Sequence, residues 1–341
     1  MRLKTAIVTT LIDADATLAS FIQYHLHIGF DHLFLFFDDP NAVLPGFVKD
    51  NPKISSFQRN EALENAWETT TSYLTPQISR SINSEAMSRQ SLNAELALRE
   101  AFHMEIDWLL HIDIDELFYP ARTTVHKHFN MLQDRDIHCI LYPNMEGIPE
   151  KKEVSDFFTE VTLFKVNPEI NPNKSLINDH KTLLNNIPQI PPSFFHYYSS
   201  HKSAVRVFPN TMPKGVHNFS TPKGGTRKKF IDGPMILHFP CCGIAHFKQK
   251  YKTLGAFGNQ WFGNGSNFHI KLDAHLNGRD IVGTKNDALM ESYYLNTFVL
   301  SDQVSKSALL HAGLCRRIQN PAKMLHSLQK EVQHEDVFTD G

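Results

Sequence analysis

Cysteine is scarce in this chain: Cys139, Cys241, Cys242 and Cys315 are the only four in 341 residues, and no C-x-x-C pair occurs among them. That excludes a disulfide-framed secreted scaffold and a cysteine zinc site, leaving reduced thiols of a cytosolic-type compartment as the expectation. Excess charge of either sign is also missing. Lys and Arg total 34 against 36 Asp and Glu, for a net charge of -2. No global basic field exists to hold nucleic acid or an anionic bilayer. Nor does any apolar run approach the roughly 18 residues that a membrane helix requires. The opening residues carry only a short apolar stretch before Asp13 and Asp15, too little for a signal peptide. No transmembrane segment is expected, and the predicted location is cytoplasmic: soluble, with room only for peripheral docking on a membrane through a partner. A phosphate loop of the G-x-x-x-x-G-K-[ST] type is absent as well.

What is present is an ordinary globular balance of 41% hydrophobic and 21% charged residues, with Phe at 25 and His at 19. Residues 4–12 are rich in β-branched types and read as a first strand. Leu18, Phe21, Ile22 and Leu26 then share one helical face, and Gly29 supplies the stop. Residues 32–37 form a near-continuous apolar run ending in Asp38-Asp39-Pro40. Strand, helix and strand in this order predict a right-handed βαβ opening. A helix is predicted over 84–103, with Ala94, Ala97, Leu98, Ala101 and Phe102 on its apolar stripe and Arg89 and Asn93 on another face. A strand follows at 108–112, ending in Asp113-Ile114-Asp115-Glu116. Further strand-like runs lie at 137–142, 159–166, 203–208 and 234–239, and the last 45 or so residues read as helical.

In an open α/β sheet, ligands bind beyond the carboxyl ends of the strands. Here those ends carry Thr10 and Asp13, then Asp38 and Asp39, then Asp113 and Asp115. Carboxylates crowded on one rim repel each other unless a cation or a polyhydroxyl ligand sits among them. Hard divalent ions accept such oxygen ligands and keep sites for substrate phosphates. The Asp-x-Asp spacing turns both carboxylates the same way within an extended segment. By itself that motif is common. It is more specific here because the apolar run Trp108-Leu-Leu-His-Ile112 delivers it to a sheet edge.

Two blocks, Tyr24-His-Leu-His-Ile-Gly-Phe-Asp-His-Leu-Phe-Leu-Phe-Phe-Asp38 and Trp108-Leu-Leu-His-Ile-Asp-Ile-Asp-Glu-Leu-Phe118, resemble the family-92 and related family-2-like glycosyltransferases. The resemblance continues in Ile236-Leu-His-Phe-Pro-Cys-Cys-Gly243 and Phe247-Lys-Gln-Lys-Tyr-Lys-Thr-Leu-Gly255 and covers roughly residues 5–260; the Pro-rich stretch 167–200 fits it poorly. It implies an α/β chain of GT-A (Rossmann-like) fold, with a mixed, mainly parallel central sheet and a helical C-terminal tail. The corresponding division is a nucleotide-sugar half over 1–130, an acceptor half over 131–295 and a helical tail over 296–341. It also implies a nucleotide-sugar donor, a UDP-sugar foremost, a glycan acceptor and a bound Mn²⁺ or Mg²⁺.

Carried onto this chain, the resemblance gives Asp113 a place at ribose or metal and Asp115 a place on the metal. His238 is the leading histidine to complete the metal site, with His217 second. Thr10, Asp13, Asp38, Asp39, Arg89 and Asn93 are assigned to the donor pocket. Inverting transfer needs a carboxylate to deprotonate the acceptor hydroxyl; Glu146 is the candidate, with Glu150 and Asp232 as rivals. The basic loop Pro222–Lys229 is a candidate to fold over the diphosphate. Each assignment has a plainer counterpart. Arg89 and Asn93 suit a solvated helix face, His111 and His238 suit the core, Glu116 suits a brace, Cys241-Cys242 suits packing, and the basic loop suits free solvent.

The leading expectation is thus a metal-dependent, inverting glycosyltransferase. Two other classes fit the same acidic rim: a metal-dependent phosphohydrolase or nucleotidyltransferase, and a non-catalytic glycan-binding protein.

Overall fold

The structure is a computed structural model that describes residues 2–12, 16–167, 170, 195–221, 225–229, 233–255, 257 and 273–339. Its strands, in chain order, are β1 (Thr5–Leu11), β2 (His32–Phe37), β3 (Ile54–Gln58), β4 (Trp108–His111), β5 (Glu116–Tyr119) and β6 (Ile137–Tyr142), followed by β7 (Asn144–Ile148), β8 (Leu163–Lys165), β9 (Lys202–Arg206), β10 (Thr226–Lys229), β11 (Met235–His238) and β12 (Cys315–Arg317). They form a seven-stranded sheet in the order β10-β6-β9-β4-β1-β2-β3 and a five-stranded sheet in the order β12-β8-β7-β11-β5.

The larger sheet is mixed and mainly parallel, as expected. β1 runs parallel to β2 on one side and to β4 on the other, and β2 runs parallel to β3. β9 is antiparallel to both β4 and β6, and β10 closes that edge parallel to β6. Because the chain winds outward from β1 to β3 and then returns to place β4 on β1's other side, the strand order reverses between β1 and β4. Such a reversal opens a crevice at the carboxyl ends of the two strands.

Alternation along β1 explains how both sheet faces are covered. Ile7 and Leu11 join one core with Leu18, Phe21 and Ile22 of the helix Ala16–His27. Ala6 and Val8 join the opposite core with Leu92, Ala94, Ala97 and Leu98 of the helix Ala86–His103. The small alanines let that second helix pack close to the sheet. Phe102, expected on the same stripe, is instead 47% exposed, since it falls past the last turn that faces the strands. Gly29 sits at φ +109, a left-handed conformation that frees the chain to turn from helix into β2.

The smaller sheet departs from the sequence reading. The run 159–166 is a short helix, Phe157–Glu160, before β8, because Asp156 caps it through the Phe158 N–H at 2.9 Å. The expected all-helical tail is broken by β12, which pairs antiparallel with β8 between the helices Gln303–His311 and Asn320–Thr339. Leu309, Leu314 and Cys315 bury this strand against Ile148 and Leu163. The basic loop at 222–229 is likewise corrected in part. Residues 226–229 form the exposed edge strand β10, held to β6, while 222–224 lie outside the described residues.

Candidate functional site

At the β1–β4 reversal the strand ends are packed by the helix Ala86–His103. Arg89 donates from Nε to Asp38 Oδ1 at 2.6 Å and from Nη2 to Asp38 Oδ2 at 2.7 Å, a forked buried pair. One turn further on, Asn93 donates from Nδ2 to Thr10 Oγ1 at 3.0 Å, while its Oδ1 accepts from Trp67 Nε1 at 2.7 Å. This helix face is therefore buried against the strand ends. Arg89 and Asn93 fix Asp38 and Thr10, and neither lies on a solvated surface. Asp39 is partly exposed and accepts from the Asn41 N–H at 2.9 Å, as in a turn. Asp13 lies outside the described residues.

Past β4 the chain delivers the Asp-x-Asp motif to the same rim. Asp113 Oδ1 accepts from Gln90 Nε2 at 3.0 Å, and its Oδ2 accepts from Lys202 Nζ at 2.6 Å. Lys202, at the start of β9, has a fully buried side chain, and its Nζ also lies 3.4 Å from Glu116 Oε2. Asp115 Oδ2 accepts from Lys250 Nζ at 2.9 Å, and His238 Nε2 stands 3.8 Å from the same oxygen. Burial opposes ionisation of both aspartates, but the facing ammonium groups outweigh it, so both carboxyls are held below their ordinary range.

Glu116 behaves differently. Burial pushes its carboxyl up to about 8 despite Lys202, with Asp113 and Asp115 adding to the rise. Its Oε2 accepts from the Asp113 N–H at 2.8 Å, and its Oε1 accepts from the Tyr198 hydroxyl. Glu116 thus braces the motif, as the plainer reading had it.

Register across the smaller sheet aligns a row of polar side chains. His238 pairs with Glu116 of β5 and with Glu146 of β7, Glu146 pairs with Lys165 of β8, and Lys165 pairs with Cys315 of β12. Cross-strand partners share a face, so the row runs from the Asp-x-Asp end into the sheet interior. The expected proximity of His238 to Asp115 is therefore observed. Its ring is kept neutral by burial, which lowers its pKa to about 4 against the opposing pull of Asp115. The Nδ1 atom has no hydrogen-bond partner among the described residues.

Glu146 does not occupy the position of a general base. Its oxygens accept from Lys165 Nζ at 2.5 Å and from the backbone N–H groups of His196 and Tyr197 at 2.9–3.2 Å. Both oxygens are saturated and the residue is buried, so it ties three segments together instead of facing an acceptor. Glu150 is paired with Arg317 and Lys306 while 29% of its side chain stays exposed. Asp232 lies outside the described residues. His217 lies beside the ring of Tyr198 and 3.3 Å from Ser200 Oγ, near Lys202 and Asp113. His111 is buried near Phe219, and neither ring nitrogen has a hydrogen-bond partner. Cys241 and Cys242 are packed: Cys241 Sγ meets the Tyr197 hydroxyl at 2.8 Å, and Cys242 belongs to the main core.

The expected three-ligand metal site is not assembled by these residues. Among the described residues no group of three His, Cys, Asp or Glu side chains has the spacing to hold an ion. Asp113 already accepts a donor on each oxygen, and Asp115 faces an ammonium. The residues that sequence reading missed are accordingly Lys202, Lys250 and Gln90. Lys250 lay within a quoted motif, but nothing local marked its partner.

Lys250 is placed by local necessity. The helix Ile244–Leu254 begins after Gly243, whose φ is +108 and where a Cβ would stand 2.9 Å from the Val154 carbonyl oxygen, so a glycine is required there. Ile244, Phe247 and Tyr251 bury one side of the helix in a core of their own. Lys250 projects toward Asp115 and also donates to the Pro240 carbonyl at 3.0 Å.

Fold and site together define an open α/β domain whose crevice, at the strand-order reversal, mixes two ionised aspartates with an equal number of lysines. No family model matches the chain. It is similar to two curated glycosyltransferase-like proteins of Arabidopsis thaliana. One is 26% identical over 94% of this chain and 71% of its own length; the other is 23% identical over 91% of this chain and 60% of its own length. The chain thus spans less than two thirds of the second relative. Among solved structures, core-mannan synthase A of Aspergillus fumigatus in its Mn/GDP form overlaps at a TM-score of 0.29 and 12% identity, over 60% of each chain. TarS of S. aureus overlaps at 0.31 and 9% identity, over 74% of this chain and 39% of its own. Both overlaps are too low to carry an argument.

Proposed function

We propose that this chain is a glycosyltransferase of GT-A type that takes its sugar from a nucleoside-diphosphate donor, a UDP-sugar foremost, and transfers it to a glycan hydroxyl. The observation that carries the reading is the convergence of Thr10, Asp38, Asp113 and Asp115 at the β1–β4 reversal, the crevice where open α/β sheets bind nucleotides. The similarity to glycosyltransferase-like proteins over nearly the whole chain supports it independently.

In this reading the nucleoside lies over the β1 and β2 ends, where Arg89 and Asn93 hold Asp38 and Thr10 rigid, and the diphosphate lies toward Asp115 and Lys250. During transfer the bond between the sugar's anomeric carbon and the diphosphate oxygen breaks, and its electron pair stays on the diphosphate. The acceptor oxygen forms the new bond to that carbon and gives up its proton. Charge develops on the leaving oxygen, so a fixed opposite charge beside it lowers the barrier. For inversion, the carboxylate that takes the proton must have an open oxygen, which the buried Glu146, with two donors on each oxygen, does not offer.

The test is a panel of nucleotide sugars incubated with the full chain, read by release of the nucleoside diphosphate. Release from one donor supports the reading and names the sugar. Binding of free glycans without release from any donor would favour the glycan-binding alternative. Release of inorganic phosphate or of a nucleoside monophosphate would favour the phosphohydrolase one.

A further inference from the structure

The two aspartates expected to hold a divalent ion each face a lysine. Asp113 and Asp115 carry two negative charges, and Lys202 and Lys250 return two positive ones. A divalent ion added to this arrangement would meet ammonium groups within hydrogen-bond distance of its own ligands, with no surplus negative charge to draw it in. The two lysines are not equivalent. Lys202 is wholly buried, spends its charge on Asp113 and Glu116 and cannot reach a ligand. Lys250 is 18% exposed and, among the described residues, donates two of its three N–H bonds, to Asp115 and to the Pro240 carbonyl.

We propose that Lys250 is the cation that faces the leaving diphosphate in this chain, taking the place of the expected Mn²⁺ or Mg²⁺, and that Lys202 is the positioning residue that holds Asp113 for it. The proposal rests on the glycosyltransferase reading above. Three features make Lys250 suited to the task. It is carried on a helix anchored by Ile244, Phe247 and Tyr251, so its position is set before substrate arrives. Asp115 and Pro240 orient its head group, and the Tyr197 ring lies 5.3 Å from the ammonium. Among the described residues its third N–H has no hydrogen-bond acceptor, which leaves it for a phosphate oxygen in this proposal. A preorganised charge of this kind is worth about 10²- to 10³-fold in rate when charge develops beside it. Lys250 exchanges no proton or electron with the substrate.

Calorimetric titration of the full chain with UDP, GDP, ADP and dTDP, in EDTA and then in Mn²⁺, tests this without relying on turnover. One nucleoside diphosphate is expected to bind in EDTA, with an affinity that Mn²⁺ changes less than about threefold. Lys250→Met is expected to weaken it at least about tenfold, and Lys250→Arg to restore it to within about threefold. Binding that is absent in EDTA and restored by Mn²⁺ would overturn the proposal, and so would Lys250→Met binding like the wild type. The wild-type comparison stands even if Lys250→Met does not fold. If no nucleoside diphosphate binds in either condition, the glycosyltransferase reading itself fails and this proposal falls with it. Binding that requires Mn²⁺ leaves that reading intact and removes only the lysine.

Discussion

Lys250 and Asp115 meet across 135 residues of sequence, Nζ to Oδ2 at 2.9 Å, and their contact joins the end of the main sheet to the helix Ile244–Leu254. One partner comes from a loop after a parallel strand. The other comes from a helix whose start demands a glycine at φ +108. The contact between them forms only when both sheets are in place, so the site and the fold are one construction.

Removing the aspartate should therefore cost both function and stability. Asp115→Ala leaves the Lys250 ammonium without its orienting carboxylate, and donor cleavage is expected to fall at least about 100-fold. The backbone link from Asp115 O to the Phe239 N–H, at 2.8 Å, survives the substitution, but the largely buried Lys250 ammonium is left without its counter-charge, so unfolding free energy should also fall by about 3–5 kcal/mol. Rate assays and a melting curve on the same preparation check both halves.

Arg89 and Asp38 form a buried fork that a lysine cannot reproduce. Arg89→Ala leaves the Asp38 carboxylate unpaired in the core, which costs about 3–5 kcal/mol in unfolding free energy. Arg89→Lys should recover part of that stability while weakening nucleoside-diphosphate binding about tenfold. Urea denaturation and calorimetry separate the two effects.

Glu146→Gln distinguishes a brace from a base. The amide oxygen can still accept from the His196 or Tyr197 N–H, but the Lys165 ammonium loses its counter-charge. The expected outcome is a lowered melting midpoint, with the turnover of the folded protein within a few-fold of wild type. A general base removed in this way would instead lose about 10²- to 10⁴-fold in turnover at unchanged stability.

Acid should destabilise the fold through its buried histidines. His25 Nε2 accepts from the Phe118 N–H at 3.1 Å and its Nδ1 contacts the Phe21 carbonyl at 2.9 Å, so the ring serves both contacts only when neutral. Burial lowers its pKa to about 3, and that of His111 to about 3 and His238 to about 4, from an ordinary 6.5. The unfolded chain takes up these protons first as pH falls. The stability tied to neutral histidine is therefore complete above about 6.5 and is lost progressively toward pH 3–4. Glu116 has the opposite sign. Its raised carboxyl, at about 8, favours the folded state fully below its ordinary 4.5 and loses that contribution as pH climbs to about 8. Unfolding free energy measured between pH 7 and 4 should fall, and His25→Gln should flatten that slope by up to about 1.4 kcal/mol per pH unit.

How much of this was legible in the sequence follows from where each residue finds its partner. β1, β2, β4 and β6 are apolar runs buried on both faces, and such runs announce themselves. β7 does not, because Asn144 and Glu146 put polar groups in a buried strand, where Lys165, Asn167 and the backbone at 196–198 make them tolerable. β3 is half-buried, with serines at its centre, and β10 is an exposed basic edge, so neither shows an apolar pattern. The Asp-x-Asp block, Asp38, Arg89 and Asn93 were singled out because strand ends and helical spacing are local signals. Lys202 and Lys250 were not, since their meaning lies in carboxylates 89 and 135 residues away. Glu146 was misassigned for the same reason: its saturating partners are remote, and a glutamate after an apolar strand looks free until they are placed.

The most direct test of the account is nucleoside-diphosphate release from a panel of nucleotide sugars by wild type and Asp115→Ala side by side, in EDTA and in Mn²⁺. The account predicts release from one donor by the wild type in either condition, reduced at least about 100-fold by the substitution. Release that is equal in the two proteins, or none from any donor by folded wild type, would contradict it.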